Sequence, residues 1–330
     1  MATVSHNHAN YQGRLAFIQQ LLVDQLGLSA KDLERAKVIP IQYDPDCPFK
    51  YNNFVYRIEL PFTVASDVNN VDGDKGRRLK QPGCVPIPSD MQIFILRLSN
   101  PDAEGMNAAT RIENEVAIIN LSSSALGHLE PNVVPRVFGW ESAKSSQGWI
   151  LQELMPGVPV DETFGSMDLG KKRRILAQMV TLLKALQRFP LPESLTAWGG
   201  AAFDATNNLL FDPDSGRITA LLDYDFASIL HPINAKLNGF PTPLPETTEG
   251  GIQWDLAKVW EDELEKQDVK RPSIMQGIDK VADVDAVLRA VLPWHITNLD
   301  FLQMQPDGAT EYFRKRGEEK LIMLLDYMGF

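Results

Sequence analysis

The chain has 330 residues, 44% of them hydrophobic and 23% charged, with 43 acidic against 32 basic residues and a net charge of −11. At roughly 150 residues per domain the length predicts about two domains or lobes, and so ordinary a composition excludes wholesale disorder, collagen and coiled coil. So acidic a chain is a poor match for nucleic acid or an anionic membrane, since both need a basic face.

Residues 1–10 are polar and carry His6 and His8 without the charged and apolar regions of a signal peptide, so the pair reads as a solvated terminus rather than a metal site. Leu15, Ile18, Leu21, Leu22 and Leu26 recur at helical spacing before Gly27 and predict a helix over 12–28. Phe54, Tyr56, Ile58 and Leu60 alternate and predict a strand over 53–62. The stretch 66–88 is rich in Asp, Asn, Gly, Lys and Pro and reads as an exposed loop. A second strand follows over 91–98, then a helix over 107–121 with Glu113 and Glu115 early in it, then strands over 134–140 and 148–154. Pro156-Gly157 breaks the chain. Beyond it come an amphipathic helix over 169–189 with a basic start, short strands over 209–211 and 218–222 around an Asp-Pro-Asp-Ser-Gly turn, and helices over 253–267, 274–292 and 309–327. The expectation is an α+β chain: a β-rich lobe over 1–155 and a mainly helical lobe over 156–330 with an embedded β-hairpin.

The two cysteines, Cys47 and Cys84, form no disulfide framework, and no apolar run approaches the ~20 residues of a membrane span, so a cytoplasmic protein is expected. The sequence has no G-x-x-x-x-G-K-[ST], no G-x-G-x-x-G, no G-x-S-x-G and no His-x-x-x-His. The informative stretch is the hairpin. Asn208 opens one apolar strand and Asp223 closes its partner, so an amide oxygen and a carboxylate stand at the same end. Both are hard oxygen ligands of the kind Mg²⁺ takes beside nucleotide phosphates. On spacing alone a strand cap and a turn residue are the easier reading of the pair.

The wider pattern resembles the aminoglycoside phosphotransferase-like kinases, with its closest match in the group found in filamentous fungi. The run from Asn208-Leu-Leu-Phe-Asp to Ile218-Thr-Ala-Leu-Leu-Asp223-Tyr-Asp is similar to their metal-binding region. Tyr51-Asn-Asn-Phe-Val-Tyr-Arg-Ile58 resembles their nucleotide-covering loop and strand. Phe94-Ile-Leu-Arg97-Leu resembles the strand bearing the phosphate-contacting cation, and Arg111-Ile-Glu-Asn-Glu115 the helix whose Glu pairs with it. Val134 to Trp140 and Trp149 to Gly157 resemble the strands leading to the hinge between lobes. The resemblance spans about 51–232 and implies a bilobal protein-kinase-like fold binding ATP and Mg²⁺. It implies adenine at backbone groups of Gln152, Glu153, Leu154 and Met155, phosphates at Arg97, and metal at Asn208 and Asp223. Arg97 stands where such kinases carry Lys, which exchanges a point charge for a planar fork. Its partner would be Glu115, or Glu113 if the register differs by two, since residues two apart on a helix point in different directions.

One part of the pattern is absent. These kinases carry His-x-Asp-x-x-x-x-Asn, whose Asp deprotonates the acceptor hydroxyl. With Asn208 as the Asn, the Asp and His positions hold Phe203 and Ala201, and no histidine of the chain is followed two residues later by Asp. Asp204 is one residue out of place and is a candidate surrogate base. Trp198-Gly-Gly-Ala-Ala-Phe-Asp204 resembles a segment lying well before the catalytic loop, and Thr206-Asn-Asn208 resembles the loop's tail. The two are fused, so the helical lobe reads as shortened near Ala205. The loss should leave the apolar face of 176–186 short of partners unless another helix takes the place.

Three readings follow: an ATP-dependent kinase for an unidentified small-molecule acceptor, impaired in transfer; a pseudokinase that binds nucleotide or a protein partner; and an intact kinase whose gene model is misspliced at the junction. Trp254, Trp260 and Trp294 read as core residues, and Asp255, Glu261, Asp262, Glu263 and Glu265 as a solvated helix face. The sequence leaves the acceptor and the oligomeric state open.

Overall fold

A computed structural model describes residues 7–41, 43, 50–63, 81–103, 110–144, 146–190, 208–224, 254–270, 294–297 and 308–329, with isolated positions at 274, 276, 287, 291 and 302. The fold is mixed α+β, with a β-sheet N-terminal lobe and a helical C-terminal lobe. The backbone divides into two compact units. One comprises Met1–Pro159, Asn208–Pro213 and Ile218–Asp225; the other comprises Val160–Asn207, Asp214–Arg217 and Phe226–Phe330. The hairpin strands thus group with the N-terminal unit, whereas the sequence expectation drew one cut at 155/156.

The first unit opens with α1 (Tyr11–Leu26) and α2 (Ala30–Arg35) and continues through β1 (Lys37–Pro40), β2 (Asn53–Glu59), β3 (Ile93–Ser99), α3 (Arg111–Leu126), β4 (Val137–Glu141) and β5 (Trp149–Glu153). The five strands form one sheet in the order β1-β2-β3-β5-β4, and neighbouring strands pair antiparallel. The alternation seen in the sequence sorts its faces. Phe54, Tyr56 and Ile58 of β2 and Phe94, Leu96 and Leu98 of β3 share a core with Ile18, Leu22 and Leu26 of α1. Each fully buried Leu, Ile or Phe contributes about 1.5–3 kcal/mol, so this face alone secures α1 to the sheet. Register places Ile95 opposite Gln152 and Arg97 opposite Ile150, and side-chain alternation turns these residues to the other face.

Two boundaries differ from expectation. α3 runs on to Leu126, because burial of Ala125 and Leu126 carries the helix through three weak helix-forming serines before Gly127. α2 was not expected, although Ser29 and Asp32 form a capping box at its start. β6 (Val158–Pro159) pairs antiparallel with β7 (Leu209–Asp212), and β8 (Arg217–Leu221) completes a small three-stranded sheet. Gly216 takes φ 66° in the β7–β8 turn, the left-handed region that glycine enters without strain.

In the second unit α4 (Val160–Phe164) precedes α5 (Leu169–Arg188), which packs on α6 (Trp254–Lys266); α7 (Trp294–Thr297) and α8 (Ala309–Met328) follow. Val180 meets Leu264 and Val269, with Leu183 and Trp260 against them. A helix therefore covers part of the α5 face for which the sequence left no partner, and Trp260 is a packing residue. Most of the helix expected over 274–292 lies outside the described residues, as do Asp204, the junction at Ala205 and most of the 66–88 loop. No helix among the described residues is long and apolar enough to cross a membrane.

Candidate functional site

β3 is the middle strand of the five, so a side chain on its α3 face is enclosed by neighbours on both sides. Arg97 projects there between Val55 of β2 and Ile150 of β5, and its side chain is 10% exposed. A guanidinium so buried needs charged or strongly polar partners. It has two. Nη1 forms a close ion pair with Oε1 of Glu115, which is 1% exposed, and Nη2 lies 3.4 Å from Oδ1 of Asp223. One planar fork thus spans a helix carboxylate and a hairpin-end carboxylate, which a lysine point charge cannot do with the same geometry. The alternative register, with Glu113 facing Arg97, is not the one adopted.

Asp223 is held by its own backbone and by its neighbour. It adopts φ 57°, a left-handed conformation that Asp tolerates better than most residues. Tyr224 follows it into the interior. Burial pushes the Tyr224 phenol well above its ordinary value, Ser122 of α3 opposes the rise, and the Glu115 carboxylate adds to it. Asp223 itself stays half open, with 46% of its side chain exposed. Asn208 lies across from it: the Leu222 N–H donates to the Asn208 carbonyl at 2.8 Å, which sets both residues at the same end of the β7–β8 hairpin. Leu221 N–H donates to Val133 O at 2.7 Å and ties this end to the segment before β4.

The segment leaving β5 is also ordered by contacts. Glu153 takes a forked ion pair from Arg136, with Nε to Oε2 at 2.9 Å and Nη2 to Oε1 at 2.7 Å, so its side chain is committed. Its N–H donates to the Arg136 carbonyl. Met155 is buried and Leu154 half-buried. Among the described residues no hydrogen bond reaches the Leu154 or Met155 N–H. Gln152 is 5% exposed, and its buried Oε1, on the face that carries Arg97, has no hydrogen-bond partner among the described residues. Gly157 turns at φ 117°, and a Cβ there would lie 2.8 Å from the Phe211 carbonyl; Thr219 Oγ1 donates to Pro156 O at 2.6 Å.

The structure therefore brings Arg97, Glu115 and Asp223 into contact, sets Asn208 beside Asp223 on the backbone, and leaves Asp204 outside the described residues. Sequence reasoning passed over Tyr224 and Arg111. Arg111 stands four residues before Glu115 on the same face of α3, and the spacing was its only signal. Among the described residues no group of three or more His, Cys, Asp or Glu could hold a metal ion. An Asn–Asp pair fits Mg²⁺ differently, because that ion keeps several waters and takes one or two protein oxygens alongside phosphates.

Neither a protein-family model nor a curated protein sequence matches the chain. Among solved structures, a thermostable mutant of an aminoglycoside phosphotransferase, in ternary complex with AMP-PNP and hygromycin B, aligns with 10% identity and a TM-score of 0.46, covering 92% of this chain and 97% of that one. Values this low say nothing of substrate or activity.

Proposed function

We propose that the chain is a kinase-like nucleotide-binding protein: an ATP-dependent phosphotransferase for a small hydroxyl-bearing acceptor by design, impaired in transfer. The observation that carries this reading is the Arg97 fork between Glu115 and Asp223. A buried cation held from behind by one carboxylate keeps a fixed orientation and presents positive charge to phosphate oxygens. Glu115 is too buried to bind a ligand itself and so acts by fixing Arg97. Asp223 and Asn208 would hold Mg²⁺, which, when bound, neutralises charge on the phosphates. Leu154 and Met155 would offer backbone N–H donors to the purine, with Met155 and the neighbouring sheet excluding water.

The second reading, a nucleotide-binding module without chemistry, is favoured by one sequence fact: His-x-Asp is absent throughout. Loss of a general base costs ~10²–10⁴-fold in rate while leaving positioning and charge neutralisation in place.

The experiment is a melting-temperature series with ATP and MgCl₂ beside a turnover assay over a panel of hydroxyl acceptors. A ligand bound only by the folded chain at a hundred times its Kd stabilises by about 2.7 kcal/mol. Mg-ATP should raise the melting temperature, and Asp223→Asn should remove the magnesium-dependent part of the rise. A shift without turnover selects the binding module. The absence of any shift for the wild-type chain sinks both readings.

A further inference from the structure

The segment Asn7–Asn10, just ahead of α1, makes an unusual set of contacts for a stretch of small polar residues. Arg14 of α1 is buried. Its Nη1 donates to Ala9 O at 2.6 Å, its Nη2 to Asn7 O at 2.7 Å and its Nε to the Tyr56 hydroxyl at 3.1 Å, while its guanidinium lies 3.7 Å from the Phe54 ring centroid. Among the described residues none of these partners is a carboxylate. The cation is satisfied by the carbonyls of the segment, so the segment cannot leave without stranding a buried charge. Asn7 is 1% exposed, and its Oδ1 accepts the Tyr51 N–H at 2.9 Å.

Tyr51 begins a turn that is gripped from its other side as well. Asn100 Nδ2 donates to Tyr51 O at 2.7 Å, and Asn100 N–H donates to Asn52 O at 3.0 Å. Arg111 Nη2 donates to Asn52 O at 2.8 Å and to Asn53 Oδ1 at 3.0 Å. Arg111 sits one helical turn before Glu115 on one face of α3. A path of hydrogen bonds and one peptide link therefore runs from Asn7 through Tyr51, Asn52 and Arg111 to the helix that carries Glu115.

We infer that Asn7 and Arg14 are positioning residues: the segment Asn7–Asn10 is a latch that fixes the Tyr51–Asn53 turn and, through Arg111, the seat of α3 and so the Arg97–Glu115–Asp223 cluster. The inference rests on the nucleotide-binding reading for its effect on affinity. Spatial continuity alone does not establish coupling, so the test is a double-mutant cycle in the full chain.

Asn7→Leu removes the acceptor at similar volume, and Asn7→Asp keeps it beside the Arg14 cation. Mg-ATP affinity is measured by calorimetry, and backbone amide exchange at Tyr51 and Asn100 by NMR. Asn7→Leu should weaken Mg-ATP about tenfold, the upper range for one net hydrogen bond, and speed exchange at Asn100 as well as at Tyr51. Asn7→Asp should return affinity to within about twofold of wild type on the same scale. Combined with Glu115→Gln, the losses should be less than multiplicative. Faster exchange confined to Tyr51 with unchanged affinity, an Asn7→Asp chain as weak as Asn7→Leu, or losses that multiply independently would each overturn the latch. If the wild-type chain binds no Mg-ATP, the nucleotide reading falls by itself. The latch is then decided by Asn100 exchange and by the same cycle read as melting temperature.

Discussion

Arg97 and Glu115 form a pair whose halves depend on each other. Glu115→Leu takes the close carboxylate from a buried guanidinium, and it should cost about 3–5 kcal/mol, read as a fall in the urea midpoint. Arg97→Lys should cost less and free Asp223, because an ammonium cannot reach both carboxylates from the same stem. Tyr224 predicts a pH effect. Its phenol is raised in the folded chain, so it stays protonated there while the unfolded chain ionises above pH about 10. The unfolded state then binds fewer protons, and stability, fully present below that pH, is lost as pH rises toward the folded value. Tyr224→Phe should therefore lose up to about 1.4 kcal/mol less than wild type between pH 8 and pH 11 in chemical denaturation. Cys84 acts with the same sign from a lower start, since burial pushes its thiol up to about 11. At this scale the cluster was legible, because Arg97, Glu115 and Asp223 stand in motifs with fixed spacing. Their supports were not: Arg14, Arg111 and Tyr224 take partners that only the folded chain brings near.

Elements with a strong periodic pattern appear where the sequence put them, as β2, β3, α1 and α5 show. Short elements escaped. β1 and β6 are too brief for alternation to register, and they exist because the edge of a larger sheet and the β7 strand offer them hydrogen bonds. α3 outran its expected end because burial outweighed propensity. Two predictions belong here. Gly157→Ala forces a side chain into a left-handed turn against the Phe211 carbonyl and should cost about 1–3 kcal/mol, checked by urea denaturation. Leu264→Ala empties the contact between α5 and α6 and should cost about 2–5 kcal/mol in the same measurement.

For the whole chain, composition and the order of strands before helices gave the α+β architecture. The grouping of the hairpin with the N-terminal unit was invisible, since it depends on Val158 pairing with Phe211 across about fifty positions of chain. That pairing, with Leu221 bonded to Val133 and Thr219 to Pro156, has a consequence for chain length. The hairpin is moored by residues that precede α5. Closing a longer tether costs only about 0.6 kcal/mol for each doubling of its length. A Gly/Ser insert directly ahead of Asn208 should therefore leave the Val158–Phe211 pairing and the Leu221 and Leu222 hydrogen bonds intact, read by backbone amide exchange at Leu221 and Leu222. The described bonds at the hairpin's end are made with residues far upstream, so an insertion ahead of Asn208 leaves each of them its partner.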